Sequence, residues 1–399
     1  MKWILVAVPL LAFAGEPEAM IIEARIQARH MPYATIIDPV YTQRDSNDIA
    51  GYSRCGDSAL WTGHYIAAEA FRYGATQSPE AVQNIMNALQ GVRTLIDVTG
   101  TDVLARCAFP EDSPYANWIM SEERDNGVHT GLFDGRKYIW IGNTSRDQYL
   151  GLFFGLTAAW NLVDDQRLHD AVAWLTTRLL DRVQRDNWFI RMPNGSFSTT
   201  FIGRVDQQLA LLKLGRRVNG KFANTYKSLS LFSAPGAIGP IAIEVNDPYS
   251  SYFKFNLDHI TLWCLLSSGD SSYVRASYQK AFDILRNTTD DHQNAFFNLI
   301  DRGINGPDNP KRDADTRDFL NLWLLRPERD PYVDRTGEFA SCDDHACQPL
   351  PVDKRVTTDF IWQRSPFQLA GGALGTIEGA GIDYLLPYWM ARYYNVAVD

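Results

Sequence analysis

Apolar residues recur with a period near 3.6 along most of the chain, which predicts amphipathic or buried helices. The pattern places helices at about 57–74, 79–98, 145–163, 166–186, 204–217, 222–232, 252–267, 271–288, 292–302, 315–325, 366–375 and 379–394. Ser78-Pro79-Glu80 and the Ser145/Gln148 spacing are helix-start signals, and Gly74 and Gly269 are stops. Short strands are expected only within 128–141, HTGLFDGRKYIWIG, around the turn-forming Asp134-Gly135.

The helices fall into two kinds. DQRLHDAVAWLTTRLLDRVQ and SPEAVQNIMNALQGVRTLIDV carry one apolar and one charged face, as outer helices do. GDSALWTGHYIAAEAF, SRDQYLGLFFGLTAAW, GRVDQQLALLKL and FNLDHITLWCLL are apolar almost all round, with polar residues near their starts. Helices of that kind are buried on every side. Their alternation predicts about six helical hairpins in two concentric layers, an all-α (α/α)6 toroid over residues 15–399, read as one catalytic-type domain. In that arrangement the polar first turns of the buried helices converge on one cleft, where helix dipoles favour acidic groups.

Composition narrows the class. The 399 residues are ample for a large core, and the net charge of −9, without a Lys/Arg-rich run, argues against nucleic-acid and anionic-membrane partners. The N-terminus, MKWILVAVPLLAFAGEPE, reads as a signal peptide over residues 1–14 and points to a secreted or periplasmic protein with no stable membrane anchor. Five cysteines suit that compartment. Cys342 and Cys347 share a polar loop, and Cys55 and Cys107 flank a predicted helical hairpin, so both pairs are candidate disulfides; Cys264 reads as a buried thiol. A metal site at Cys342, His345 and Cys347 lacks a fourth ligand. The acidic runs lack a calcium-loop pattern. No dinucleotide, Walker or serine-elbow motif occurs, so neither cofactor nor metal is expected.

The GDSALWTGHY and GNTSRDQYLGLFFG stretches, with roughly six hairpins and the signal sequence, resemble the six-hairpin glycosidase-like superfamily. The resemblance implies a carbohydrate-active enzyme on an oligo- or polysaccharide, usually a hydrolase and sometimes a lyase or epimerase, with acids in the cleft. Glycoside hydrolysis needs two carboxyl groups, about 6.5–9.5 Å apart for inversion or about 5–5.5 Å for retention. Asp57, Asp147, Asp206, Asp258 and Glu378 stand at predicted helix starts and are the catalytic candidates. Around them Trp61, His64, Arg146, Tyr149, Arg204, His259, Asp383 and Tyr384 are substrate-binding candidates: aromatic rings to stack on sugars, arginines to meet acidic groups, imidazoles to bond hydroxyls. A lyase or epimerase would take its base from His64, His259 or a tyrosine, and a non-catalytic glycan binder would leave every acid in a structural pair.

Overall fold

The computed structural model describes residues 15–249, 252–307, 309–358 and 360–396. The expected signal peptide lies outside the described residues.

The expectation of an all-α toroid is overturned. Eleven strands in four sheets accompany the helices among the described residues, and the fold is mixed α/β. The largest sheet is antiparallel and four-stranded, in the order Ile49–Ser53, Asp38–Tyr41, Ala370–Glu378, Arg329–Asp334. A three-stranded sheet runs Cys107–Pro110, Arg136–Ile141, Val128–Phe133. It contains the hairpin expected at 128–141, with Asp134 and Gly135 at positive φ in its turn. The expected helix at 366–375 is instead part of the Ala370–Glu378 strand. Gly371, Gly372 and Gly375 there have φ of 157°, 113° and 75°, which an α-helix excludes. The register slips between Ala373 and Leu374, so this strand is bulged and does not alternate cleanly.

Helical periodicity does locate the long helices, but the helices Glu16–Arg25, Ala116–Glu122 and Ile238–Glu244 were not expected. Ser58–Thr76 is buried from Ser58 through Arg72, and Arg146–Leu162 from Gln148 through Ala159. By contrast, Gln166–Arg185 buries only a stripe, including Leu168, Val172, Leu175, Leu179 and Val183. The buried helices pack on one another: Ser58–Thr76 on Arg146–Leu162 and Ile382–Tyr393, and Tyr252–Leu266 on Val205–Val218, Arg146–Leu162 and Ala295–Asn305. Glycine sets the closest of these approaches. A Cβ at Gly63 would lie 2.0 Å from the Gly151 carbonyl oxygen, and one at Gly155 would lie 2.2 Å from that of Gly63. Backbones in such contact hold the starts of the two helices side by side, and those starts carry Asp57 and Asp147.

Both expected disulfides are present, Cys55–Cys107 and Cys342–Cys347, and Cys264 is a buried free thiol. The second bridge uses both sulfurs of the loop in which a metal site was the rival. No described helix is long and apolar enough to cross a membrane.

Candidate functional site

The starts of the Ser58–Thr76 and Arg146–Leu162 helices form one polar cluster. A 3-10 turn, Cys55–Asp57, leads into the first helix, and the disulfide ties it to Cys107. The neighbouring Arg106 spans two loops, donating from Nη1 to the Gly56 carbonyl at 2.8 Å and from Nε to that of Asn143 at 3.1 Å. Its guanidinium lies 3.9 Å from Asp57 Oδ1, on a side chain that is 35% exposed and so open to a ligand. Gln148 clips the helices together: its Nε2 donates to Asp57 Oδ1 at 3.1 Å, and its Oε1 accepts from the Leu60 amide at 3.1 Å. The capping box expected of Ser145 and Gln148 does not form, because Gln148 is engaged across the interface and Ser145 makes no side-chain cap. Ser145 Oγ donates to Asp147 instead, at 3.4 Å.

Burial raises the Asp147 carboxyl above its ordinary value, and the positive charges of Arg106 and Arg146 only partly offset it. Two carboxyl groups, one half-buried and one partly exposed, thus stand near one arginine.

A second cluster gathers around Arg204. Its Nη2 donates to Asp206 at 2.7 Å and to Asp258 at 2.8 Å, its Nε to Asp206 at 3.1 Å, and its Nη1 to Glu244 at 2.7 Å. Asp206 and Asp258 are fully buried. Burial, reinforced by Glu244, drives the Asp258 carboxyl well above its ordinary value. One arginine faces three carboxylates here, and burial of Asp258 works against its charge.

Glu378 lies on a strand of the four-stranded sheet and not at a helix start. It accepts from Tyr41 Oη at 2.9 Å and Arg29 Nη1 at 3.2 Å, and His30 Nε2 is 3.3 Å away. His30 Nδ1 meets Asp38 at 3.1 Å, and Arg54 bonds Asp38 at 2.8 Å. Burial opposes the charge on Glu378, but the His30 hydrogen bond, His30 and Arg25 charges and Tyr41 outweigh it and bring its pKa down to about 2. Burial likewise opposes charge on His30, and its hydrogen bonds to Asp38 and Glu378 raise its pKa nonetheless.

The remaining candidates lie in the packed interior. Trp61 is buried edge-on to Phe360, with ring centroids 4.3 Å apart. His64 is fully buried, bonds the Leu60 carbonyl through Nδ1, and burial lowers its pKa to about 4. His259 stacks on Phe297 at 3.7 Å, and burial lowers its pKa well below the ordinary value. Tyr149 Oη accepts from the Leu104 amide at 3.2 Å, Asp383 faces Arg326 at 3.5 Å, and Tyr384 stacks on Tyr388. Sequence reasoning missed Arg106, Glu244, His30 and Asp38. Only Arg106 had a usable signal, a charge beside a cysteine already assigned to a bridge. Among the described residues, no group of three or more His, Cys, Asp or Glu is placed to hold a metal ion.

No family model matches the chain, and no curated protein matches it either.

Proposed function

We propose that the protein is a carbohydrate-active hydrolase that cleaves glycosidic bonds in an oligo- or polysaccharide, with Asp147 as general acid and Asp57 as the partner carboxylate. The observation that carries this reading is the pairing of two first-turn acids around Arg106, one of them with a carboxyl pKa raised by burial. A general acid needs its proton near the working pH, and its partner must be ionised. The similarity of GDSALWTGHY and GNTSRDQYLGLFFG to six-hairpin glycosidases supports the same chemistry, since those two stretches supply Asp57 and Asp147. Two disulfides support action outside the cytoplasm.

Hydrolysis is favoured over a lyase or epimerase by burial and charge pairing. His64 and His259 are inside the core, and Arg204 is occupied by three carboxylates, which leaves no arginine there for a uronate. The test is to incubate residues 15–399 with neutral and acidic glycans and to read new reducing ends and new C=C absorbance in parallel. Reducing ends that vanish in Asp147→Asn support the proposal. Unsaturated product would replace it with a lyase, and glycan binding without any product would replace it with a non-catalytic binder.

A further inference from the structure

An open groove of about 540 Å³ lies against the four-stranded sheet, apart from the Asp57/Asp147 cluster. Its walls include Tyr41, Ser53, Trp118, Glu122, Leu374 and Thr376. Trp118 and Glu122 belong to the short helix Ala116–Glu122, at spacing i and i+4, so an indole and a carboxylate stand one turn apart on the same helix face. The indole is held from behind. A Cβ at Gly51, on the edge strand Ile49–Ser53, would fall 2.4 Å from its ring carbons, so one face of the ring rests on bare backbone. The side chain is nevertheless 44% exposed, and Leu374, on the bulged strand, is 84% exposed. Large apolar side chains held out in water within one depression mark a binding surface.

Chemistry selects the occupant. Ser53, Ser121, Thr42 and Thr376 put hydroxyl groups around the indole, and Ser53 Oγ donates to Glu122 Oε1. Among the described residues that line the groove, Glu122 is the charged one, and the whole chain carries −9. An anionic polymer would meet repulsion from Glu122. A lipid would set the hydroxyls of Thr42, Ser121 and Thr376 and the Glu122 carboxylate against hydrocarbon. A neutral sugar ring satisfies both halves, its C–H face on the indole and its hydroxyls against Glu122 and the serine and threonine side chains.

We propose that this groove binds a neutral oligosaccharide, with Trp118 as the stacking platform and Glu122 as the hydroxyl acceptor. The groove goes beyond the proposed catalytic pair and does not depend on it. Tyr41 is the link to the rest of the molecule: it lines the groove, and its Oη donates to Glu378 at 2.9 Å, so one wall of the groove is anchored to a network fixed by His30 and Arg29.

The experiment is isothermal titration of the Asp147→Asn protein, which prevents turnover, with maltohexaose, cellohexaose, xylohexaose, mannohexaose and chitohexaose, and with oligogalacturonate as the anionic comparison. At least one neutral hexasaccharide is expected to bind in the micromolar to millimolar range. Trp118→Ala is expected to weaken it at least 10-fold, Glu122→Gln to weaken it measurably, and oligogalacturonate to bind more weakly. Both variants are checked by circular dichroism and thermal melting. The proposal is overturned if no neutral hexasaccharide binds folded protein, if binding survives Trp118→Ala and Glu122→Gln unchanged, or if oligogalacturonate binds best. Groove binding, together with wild-type protein that yields no product from any of these glycans, would sink the hydrolase reading and keep this one, and wild-type turnover without groove binding would do the reverse.

Discussion

A carboxylic acid that donates a proton near neutral pH needs an environment that penalises its charge, and Asp147 has one in burial, moderated by Arg106 and Arg146. The sign of the resulting pH dependence is fixed. Because the folded pKa is raised, the active protonated form is lost as pH climbs through it, so kcat/KM should fall on the alkaline side. Asp147→Asn should lower kcat by about 10²–10⁴-fold while leaving the circular dichroism spectrum intact. A pH–rate profile whose alkaline limb is the same for wild type and for Arg106→Leu would remove Asp147 from that role, since losing a nearby cation raises the pKa of an acid.

At the scale of elements, the decisive contact is between the two helices that carry Asp57 and Asp147. Gly63→Ala would push a methyl into the Gly151 carbonyl, and overpacking of this kind costs about 1–3 kcal/mol. Thermal melting should show a lowered Tm, and product formation should fall with it as the two helix starts separate. An unchanged Tm would mean that the backbones are not in contact. The second prediction concerns the sheet. His30 has a raised pKa, so its contribution to stability is complete below its ordinary value of 6.5 and is lost as pH rises through the folded value. Glu378 has a lowered pKa, so its contribution is complete above 4.5 and disappears as pH falls through about 2. Melts of wild type and His30→Gln should therefore differ most between about pH 4.5 and 6.5 and converge in alkali. A difference that is constant with pH would refute the charged pair. The long helices and the 128–141 hairpin were legible in the sequence because each is a local pattern, in periodicity or at a turn. The other sheets were not. Pro39 and Gly51 interrupt two strands that are only four and five residues long, and the bulged, glycine-rich Ala370–Glu378 strand mimics a helix start. Asp57, Asp147 and Asp206 were legible at helix starts, Asp258 lies well inside the Tyr252–Leu266 helix, and Glu244 and His30 enter their clusters through tertiary contacts that no local spacing encodes.

On the scale of the molecule, the two disulfides are unequal. Cys55–Cys107 closes a sequence separation of 52 and Cys342–Cys347 one of 5, which in the chain-entropy picture corresponds to about 4 and about 2 kcal/mol. Replacing Cys55 and Cys107 by alanine should therefore lower the denaturation midpoint more than replacing Cys342 and Cys347. It should also impair turnover beyond the loss of stability, because the first bridge sits beside Arg106. Equal midpoints for the two double variants would contradict the assignment of unequal roles.

The strand Asp38–Tyr41 pairs with Ala370–Glu378, Val40 opposite Ile377, and His30 reaches a carboxylate 348 residues further along the chain. On the ribosome, Asp38–Tyr41 emerges long before its partner strand Ala370–Glu378. The helices between them are free to assemble during translation, but this pairing closes only after residue 378 has emerged. Until then His30 and Tyr41 wait without the acid that joins them, and a nascent chain stalled before residue 370 has Asp38–Tyr41 paired on one side only, by Ile49–Ser53, with its other edge open to chaperones and proteases.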